Sequence, residues 1–153
     1  MKTLYKEILL PISLEKCWDF FSRPENLNII TPPYMNFKIL NKVPEKMYKG
    51  LMILYKISPI MNIPMTWVTE ITQIEDYKYF VDEQRIGPYK LWHHEHHFIE
   101  KENGILAIDK LYYDVGYSIF GKIIEDMFVQ HKVNEIFEYR EKKLKEIFIK
   151  ERD

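Results

Sequence analysis

The feature that most constrains the fold is a block of strand-like segments between residues 36 and 114, with a helix-like segment after it. Turn signals such as Lys49-Gly50 and Gly87-Pro88 separate segments rich in β-branched and aromatic residues. Asn103-Gly104 is the strongest hairpin signal, because such a two-residue turn needs positive φ at both positions. The block predicts consecutive antiparallel strands, which read FKILNKV, GLMILYKIS, PMTWVTEITQIE, KYFVDEQRI, KLWHHEHHFIEK and GILAIDKLYYD.

The two ends of the chain predict the elements that flank this block. Residues 2–11 are typical of an opening strand, and Ser13 is a good N-cap for a short amphipathic helix that stops before Pro24. Pro24 opens a second short helical segment, and residues 117–148 keep one apolar stripe over a single long helix. Strands in one block with helices at the ends predict an α+β fold, in which the long helix covers one sheet face.

Composition limits the class of protein. The length of 153 residues predicts one domain over 1–153, and a hydrophobic share of 46% is enough to build a core. The net charge of −1 gives no electrostatic reason to expect nucleic acid as a partner. The lone Cys17 favours a reducing, cytoplasmic location, and we expect neither a signal peptide nor a membrane-inserted segment.

The run LWHHEHHF at residues 91–98 holds four of the five histidines and divides between two faces, because side chains alternate across a strand. His93 and His97 share the face that carries most charged residues of the neighbouring strands, and we expect them at the surface. His94 and His96 share the other face with the tryptophans, and we expect that face to lie under the long helix. The outer set also includes Glu70, Glu83, Arg85, Glu95 and Lys110.

An inward His-x-His pair can bind zinc, and Asp82 or Asp109 has the right chemistry to add a carboxylate ligand. No third ligand follows at a fixed local spacing, however. The sequence therefore favours hydrogen-bonded core or pocket-lining roles for His94 and His96, and we expect no metal and no cofactor.

Several motifs together resemble one superfamily over essentially the whole chain. They are P-x-x-W-x-T-x-I from Pro64, F-x-D-x-Q-x-x-G-P-Y from Phe80, W-x-H-x-H-x-F from Trp92, and I-F-x-Y-R from Ile136, with Asp109 between the last two. This pattern resembles the START-like, helix-grip (SRPBCC) superfamily, in a bacterial ligand-binding branch related to polyketide cyclase/dehydrase-like proteins. The resemblance implies a curved antiparallel sheet around the long C-terminal helix, with a ligand cavity between them.

Two functions remain open at this level. The first is binding of a small hydrophobic or amphipathic molecule, and the second is a cyclase or dehydratase that uses an inward Asp–His pair for proton transfer. We place binding ahead of catalysis, because a fold alone does not fix an activity. The candidate polar contacts are Thr69, Asp82, Gln84, His94, His96 and Asp109. The candidate apolar walls are Trp67, Phe80, Trp92, Phe98, Tyr113, Ile124, Met127 and Phe128.

Overall fold

The computed structural model describes residues 1–59, 62–115 and 122–149, with the side chains of 122–126 left out. The strands are β1 Lys2–Leu10, β2 Lys38–Ile39, β3 Met52–Ile57, β4 Met65–Glu75, β5 Tyr79–Ile86, β6 Leu91–Lys101 and β7 Gly104–Asp114. The helices are α1 Leu14–Phe21 and α2 Lys122–Phe148, and the short 3-10 segments Pro24–Asn28 and Pro33–Met35 follow α1. The predicted start of the long helix, 117–121, lies outside the described residues.

One seven-stranded antiparallel sheet carries the fold, in the order β1-β7-β6-β5-β4-β3-β2. Register shifts beside Thr69 and near Thr72 interrupt the pairing of β4 with β5, and such bulges bend a sheet. The helix α2 buries Val133, Phe137 and Leu144. The predicted α+β helix-grip architecture is therefore confirmed. Across the described residues, no helix is long and apolar enough to span a membrane.

The predicted first helix forms as expected, because the Ser13 side chain accepts a hydrogen bond from the backbone N–H of Lys16. The predicted strand over 37–43 was too long, since only Lys38–Ile39 pair with β3. At Asn41, the side chain makes hydrogen bonds to the backbone of β3 in place of backbone pairing. It donates to the Met52 carbonyl oxygen at 2.9 Å and accepts from the Leu54 N–H at 2.8 Å.

The hairpin between β6 and β7 is present, but its predicted turn was wrong by one residue. Lys101 pairs with Gly104, so the two loop residues are Glu102 and Asn103. Gly104 opens β7 with a φ of 138°. A Cβ atom at Gly104 would lie 2.1 Å from the carbonyl oxygen of Leu10. The glycine is required by this close approach of the end of β1, as well as by its backbone angle.

The predicted division of the sheet into two faces is confirmed. Trp67 and Phe80 are buried on the face that meets α2, and the Phe137 ring of α2 lies 5.4 Å from the His94 ring. On the outer face, Arg85 donates to Glu70 at 2.6 Å, as expected for a solvated charged surface. The side chains that could make a site therefore project from the sheet toward the helix.

Candidate functional site

A pocket of about 120 Å³ lies between the inner sheet face, the short helical segments after β1, and α2. Its walls are mostly apolar and aromatic, and include Phe20, Ile30 and Ile136 beside the sheet residues. The sequence-predicted site residues that line it are Trp67, Thr69, Phe80, Asp82, Trp92, His94 and His96. This group combines large aromatic surfaces with charged side chains at one place.

Gln84 is predicted as a ligand contact, and the structure places it outside the pocket lining. Its side-chain carbonyl accepts from the Tyr89 N–H at 3.1 Å, and its amide donates to the Tyr89 carbonyl oxygen at 2.5 Å. Both ends of the amide hold the turn that contains Gly87-Pro88. Gln84 therefore fixes the connection between β5 and β6.

Some of the predicted apolar walls also lie away from the pocket. Phe98 packs 5.1 Å from Phe21 in the core, and Tyr113 lies beside Tyr89. The side chains of Met127 and Phe128 are 71% and 40% exposed on the first turns of α2. The side chain of Ile124 lies outside those that are described.

Four side chains on the inner sheet face and one on α2 form a connected group, which we call the inner cluster: Asp82, His94, His96, Asp109 and Arg140. Register brings them together, because Asp82 faces His94 across β5 and β6, and Asp109 faces His96 across β6 and β7. His94 Nε2 lies 2.9 Å from Asp109 Oδ1, and His96 Nε2 lies 2.9 Å from Asp82 Oδ2. Arg140, on α2, reaches Asp109 Oδ1 at 3.2 Å.

The two histidines of the inner cluster differ in protonation. His96 lies between both carboxylates, with its Nδ1 3.0 Å from Asp109. Burial opposes a charge on His96, but the hydrogen bonds to Asp109 and Asp82 outweigh burial and raise its pKa. His94 makes one short contact, from Nε2 to Asp109, because its Nδ1 lies farther from Asp82, at 3.4 Å. Burial, and then the charge on His96, lower the pKa of His94 to about 4.

This protonation state balances the buried charge. Burial alone would raise the pKa of both carboxyl groups, but Arg140 and the histidines lower the pKa of Asp109 well below its usual value. Burial also raises the pKa of Asp82, but the hydrogen bond from His96 and the nearby positive charges outweigh burial and lower it. Two carboxylates then face one guanidinium and one imidazolium. A cluster with zero net charge avoids the large cost of an unpaired buried ion.

Tyr55 and Arg140 were missing from the predicted contacts, as were apolar wall residues such as Phe20, Ile30 and Ile136. Tyr55 places its hydroxyl 2.9 Å from the Thr69 hydroxyl, and Arg140 joins the inner cluster. The sequence carried a signal for each. Tyr55 lies between Ile53 and Ile57 on the inward side of β3, and Arg140 interrupts the apolar stripe of α2 with a charge.

The spacing within the inner cluster is compatible with a metal ion. Asp82, His94 and His96 place one potential ligand atom each within 4.8 Å of one another. The guanidinium of Arg140 lies 3.2 Å from Asp109, which contacts both histidines, and a fixed positive charge at this place opposes a divalent cation. The ring nitrogens are also already directed at carboxylates. The donor set therefore fits an internally paired cluster better than a zinc site.

Comparisons with known proteins bear on the fold. No family model matches the chain, and no curated protein matches its sequence at a significant level. Among solved structures, TTHA0849 from Thermus thermophilus aligns at 16% identity over 99% of this chain and 100% of its own, with a TM-score of 0.69. A START superfamily protein from Mycobacterium smegmatis aligns at 12% identity over 95% and 96%, with a TM-score of 0.64. Protein NE0264 from Nitrosomonas europaea aligns at 13% over 94% of each chain, with a TM-score of 0.63. The chain has the START-like, helix-grip fold.

Proposed function

We propose that this protein binds a small hydrophobic or amphipathic molecule in the pocket between the sheet and α2. The observation that carries the proposal is the meeting of an apolar pocket with the inner cluster, since Asp82, His94, His96 and Arg140 all line it. Ligand sites commonly combine apolar walls with a few fixed polar groups. A START-like fold generally holds small hydrophobic ligands, which supports the same function.

The volume limits the size of the buried part of the ligand. About 120 Å³ is comparable with an engineered protein cavity of about 150 Å³ that binds benzene. Aromatic rings form much of the wall, and Trp67 lies 5.2 Å from Trp92 in a perpendicular arrangement. A compound whose buried part is one ring fits these dimensions, and flat rings pack well against such walls.

The inner cluster can contact a polar end of the ligand at two atoms. The Nε–H of Arg140 is buried without a hydrogen-bond partner among the described residues, so it can donate to a ligand oxygen. The contacts of Asp82 with both histidines are made by Oδ2. Its Oδ1 can then accept from a ligand hydroxyl or amine. An amphipathic ligand would satisfy both groups.

A second candidate is proton transfer catalysis of the cyclase or dehydratase type, because each inner histidine lies 2.9 Å from an aspartate. The same geometry argues against catalysis, because all four ring nitrogens of His94 and His96 are directed at carboxylate oxygens. A general base needs to contact the proton that it removes. Binding requires no such contact from an imidazole and remains our first proposal.

We also propose that residues 1–153 act as one ligand-binding domain in the cytoplasm. A free and buried Cys17 thiol supports a reducing location. Cell fractionation that recovers the native protein with secreted or membrane fractions would contradict this part of the proposal.

The test combines native mass spectrometry with one matched pair of variants. We expect the purified protein to carry a co-purifying small molecule whose buried part is one ring. His94→Gln should fold and bind it about tenfold more weakly, because it replaces the imidazole that lines the pocket and contacts both Asp82 and Asp109. His97→Gln, on the outer face of the same strand, is the control and should bind as the natural protein does.

Two other results would contradict binding at this site. A lower melting temperature of His94→Gln with unchanged affinity would make the inner cluster a purely structural network. Turnover that titrates like a histidine and disappears in His94→Gln while binding persists would favour the enzyme.

A further inference from the structure

A second polar group in the pocket consists of Tyr55, Thr69 and Trp67, which we call the Thr69 triad. The indole N–H of Trp67 donates to the Thr69 hydroxyl oxygen at 3.1 Å. The Tyr55 hydroxyl lies 2.9 Å from the same oxygen, and either group can be the donor in that bond. All three residues line the pocket, and Tyr55 and Thr69 are only 6% and 4% exposed.

The hydrogen bonds of the Thr69 triad leave one proton over. The triad holds three donor protons, one on the indole and one on each hydroxyl. The Trp67 bond uses the first, and the bond between Tyr55 and Thr69 uses one hydroxyl proton, whichever group donates it. The other hydroxyl proton has no acceptor among the described residues. A buried donor without a partner is costly and points to water or a ligand.

The surroundings favour an uncharged acceptor for this proton. The Tyr55 ring lies stacked 5.9 Å from Trp67, and the centroid of the Phe37 ring lies 4.9 Å from that of Tyr55. Burial raises the pKa of Tyr55, so its hydroxyl stays a donor at all physiological pH values. An anionic oxygen would be drawn to Arg140 instead, whereas an apolar aromatic wall tolerates a neutral carbonyl.

We propose that the Thr69 triad donates its spare hydroxyl hydrogen bond to a carbonyl oxygen of the bound molecule. The ligand is then a ring compound that bears a ketone or similar neutral carbonyl group. This inference rests on the proposed binding function and specifies the chemistry of its ligand.

Two probes of the same planar shape test the proposal: acetophenone and α-methylstyrene, in which a C=CH2 group replaces the carbonyl. NMR titrations give the dissociation constant of each probe, and the ratio of the two constants measures preference for the ketone. The different cost of removing each probe from water cancels when this ratio is compared between protein variants.

The variants follow the proton count. In Tyr55→Phe, the Thr69 hydroxyl still accepts from Trp67 and its own proton becomes the spare one, so we expect the ratio to change by less than about twofold. In the triple variant Tyr55→Phe, Thr69→Val and Trp67→Phe, all three donor protons of the triad are gone. Trp67 is included because Thr69→Val alone would leave its indole N–H without its acceptor and so create a new spare donor. The preference for acetophenone should then fall about tenfold relative to the natural protein.

An equal ratio in all three proteins would overturn the proposal, and so would a complete loss of preference in Tyr55→Phe alone. If the triple variant does not fold, a crystal structure of the natural protein with acetophenone decides. The carbonyl oxygen should lie within about 3.2 Å of the hydroxyl oxygen of Tyr55 or Thr69, and a carbonyl directed elsewhere would contradict us. If neither probe binds any of the proteins, the proposed binding function is contradicted, and this inference with it.

Discussion

Strand β6 presents histidine–carboxylate pairs on both of its faces, and the two faces differ mainly in burial. On the outer face, His93 lies 2.7 Å from Glu83 and His97 lies 2.7 Å from Glu95, with side chains between 24% and 30% exposed. On the inner face, the side chains of His94 and His96 are 3% and 9% exposed. The distances are similar, yet only the inner pairs are removed from water.

Burial gives these similar contacts different consequences. Water can screen and solvate the outer groups, and ion pairs of that kind contribute little to stability. The inner groups depend on one another, because an isolated buried charge costs several kcal/mol. The inner cluster therefore needs a fixed charge balance, and the outer pairs do not.

The largest expected difference between the faces follows from removal of one inner carboxylate. Asp109→Asn leaves only Asp82 to balance Arg140 and the imidazolium of His96, so one buried positive charge is uncompensated. We expect it to lower the free energy of unfolding by about 3–5 kcal/mol in urea titrations at pH 7. Glu95→Gln is the matched outer variant and should cost less than about 1 kcal/mol. Equal losses in the two variants would show that burial is not what separates the faces.

The next effect is the pH dependence of stability. The two inner histidines contribute to it in opposite directions, because the pKa of one is raised and that of the other is lowered. The raised pKa of His96 gives stability that is present below the ordinary value of 6.5 and lost as the pH rises through its folded pKa. The pKa of His94 is lowered to about 4, so stability falls as the pH drops from 6.5 toward that value. We therefore expect greatest stability near pH 6.5 in urea titrations across the pH range.

A variant separates the two limbs of this pH profile. His96→Gln should remove the decline above pH 6.5. On the acid side it should keep only the part of the decline that burial of His94 causes, because the charge on His96 no longer lowers the pKa of His94. A natural protein whose stability rises steadily from pH 6 to pH 8 would contradict the charged state of His96.

Much of this contrast follows from the alternation of side chains along the strands. The sequence predicts that His94 and His96 lie inward and His93 outward, because a period of two is a local property. It does not predict that Asp109 faces His96, since cross-strand register depends on the turn, which the Asn103-Gly104 signal misplaced by one residue. The contact of Arg140 with Asp109 depends on how a distant helix is rotated on the sheet.

The smallest expected difference between the faces concerns metal binding, because we expect neither face to bind zinc. We expect no stoichiometric zinc, because Arg140 opposes a divalent cation and the inner histidines are already paired. Elemental analysis after gentle purification checks this. About one zinc per chain in the natural protein, lost in His94→Ala, would reverse the conclusion.

The central claim is that the inner cluster is neutral overall and holds one charged imidazole, at His96. Histidine side-chain nitrogen NMR, recorded on the natural protein between pH 4 and pH 8, observes this directly. We predict that His96 remains doubly protonated above pH 6.5, while His94 stays neutral until the pH approaches about 4. Titration of both rings together near pH 6.5 would contradict the account.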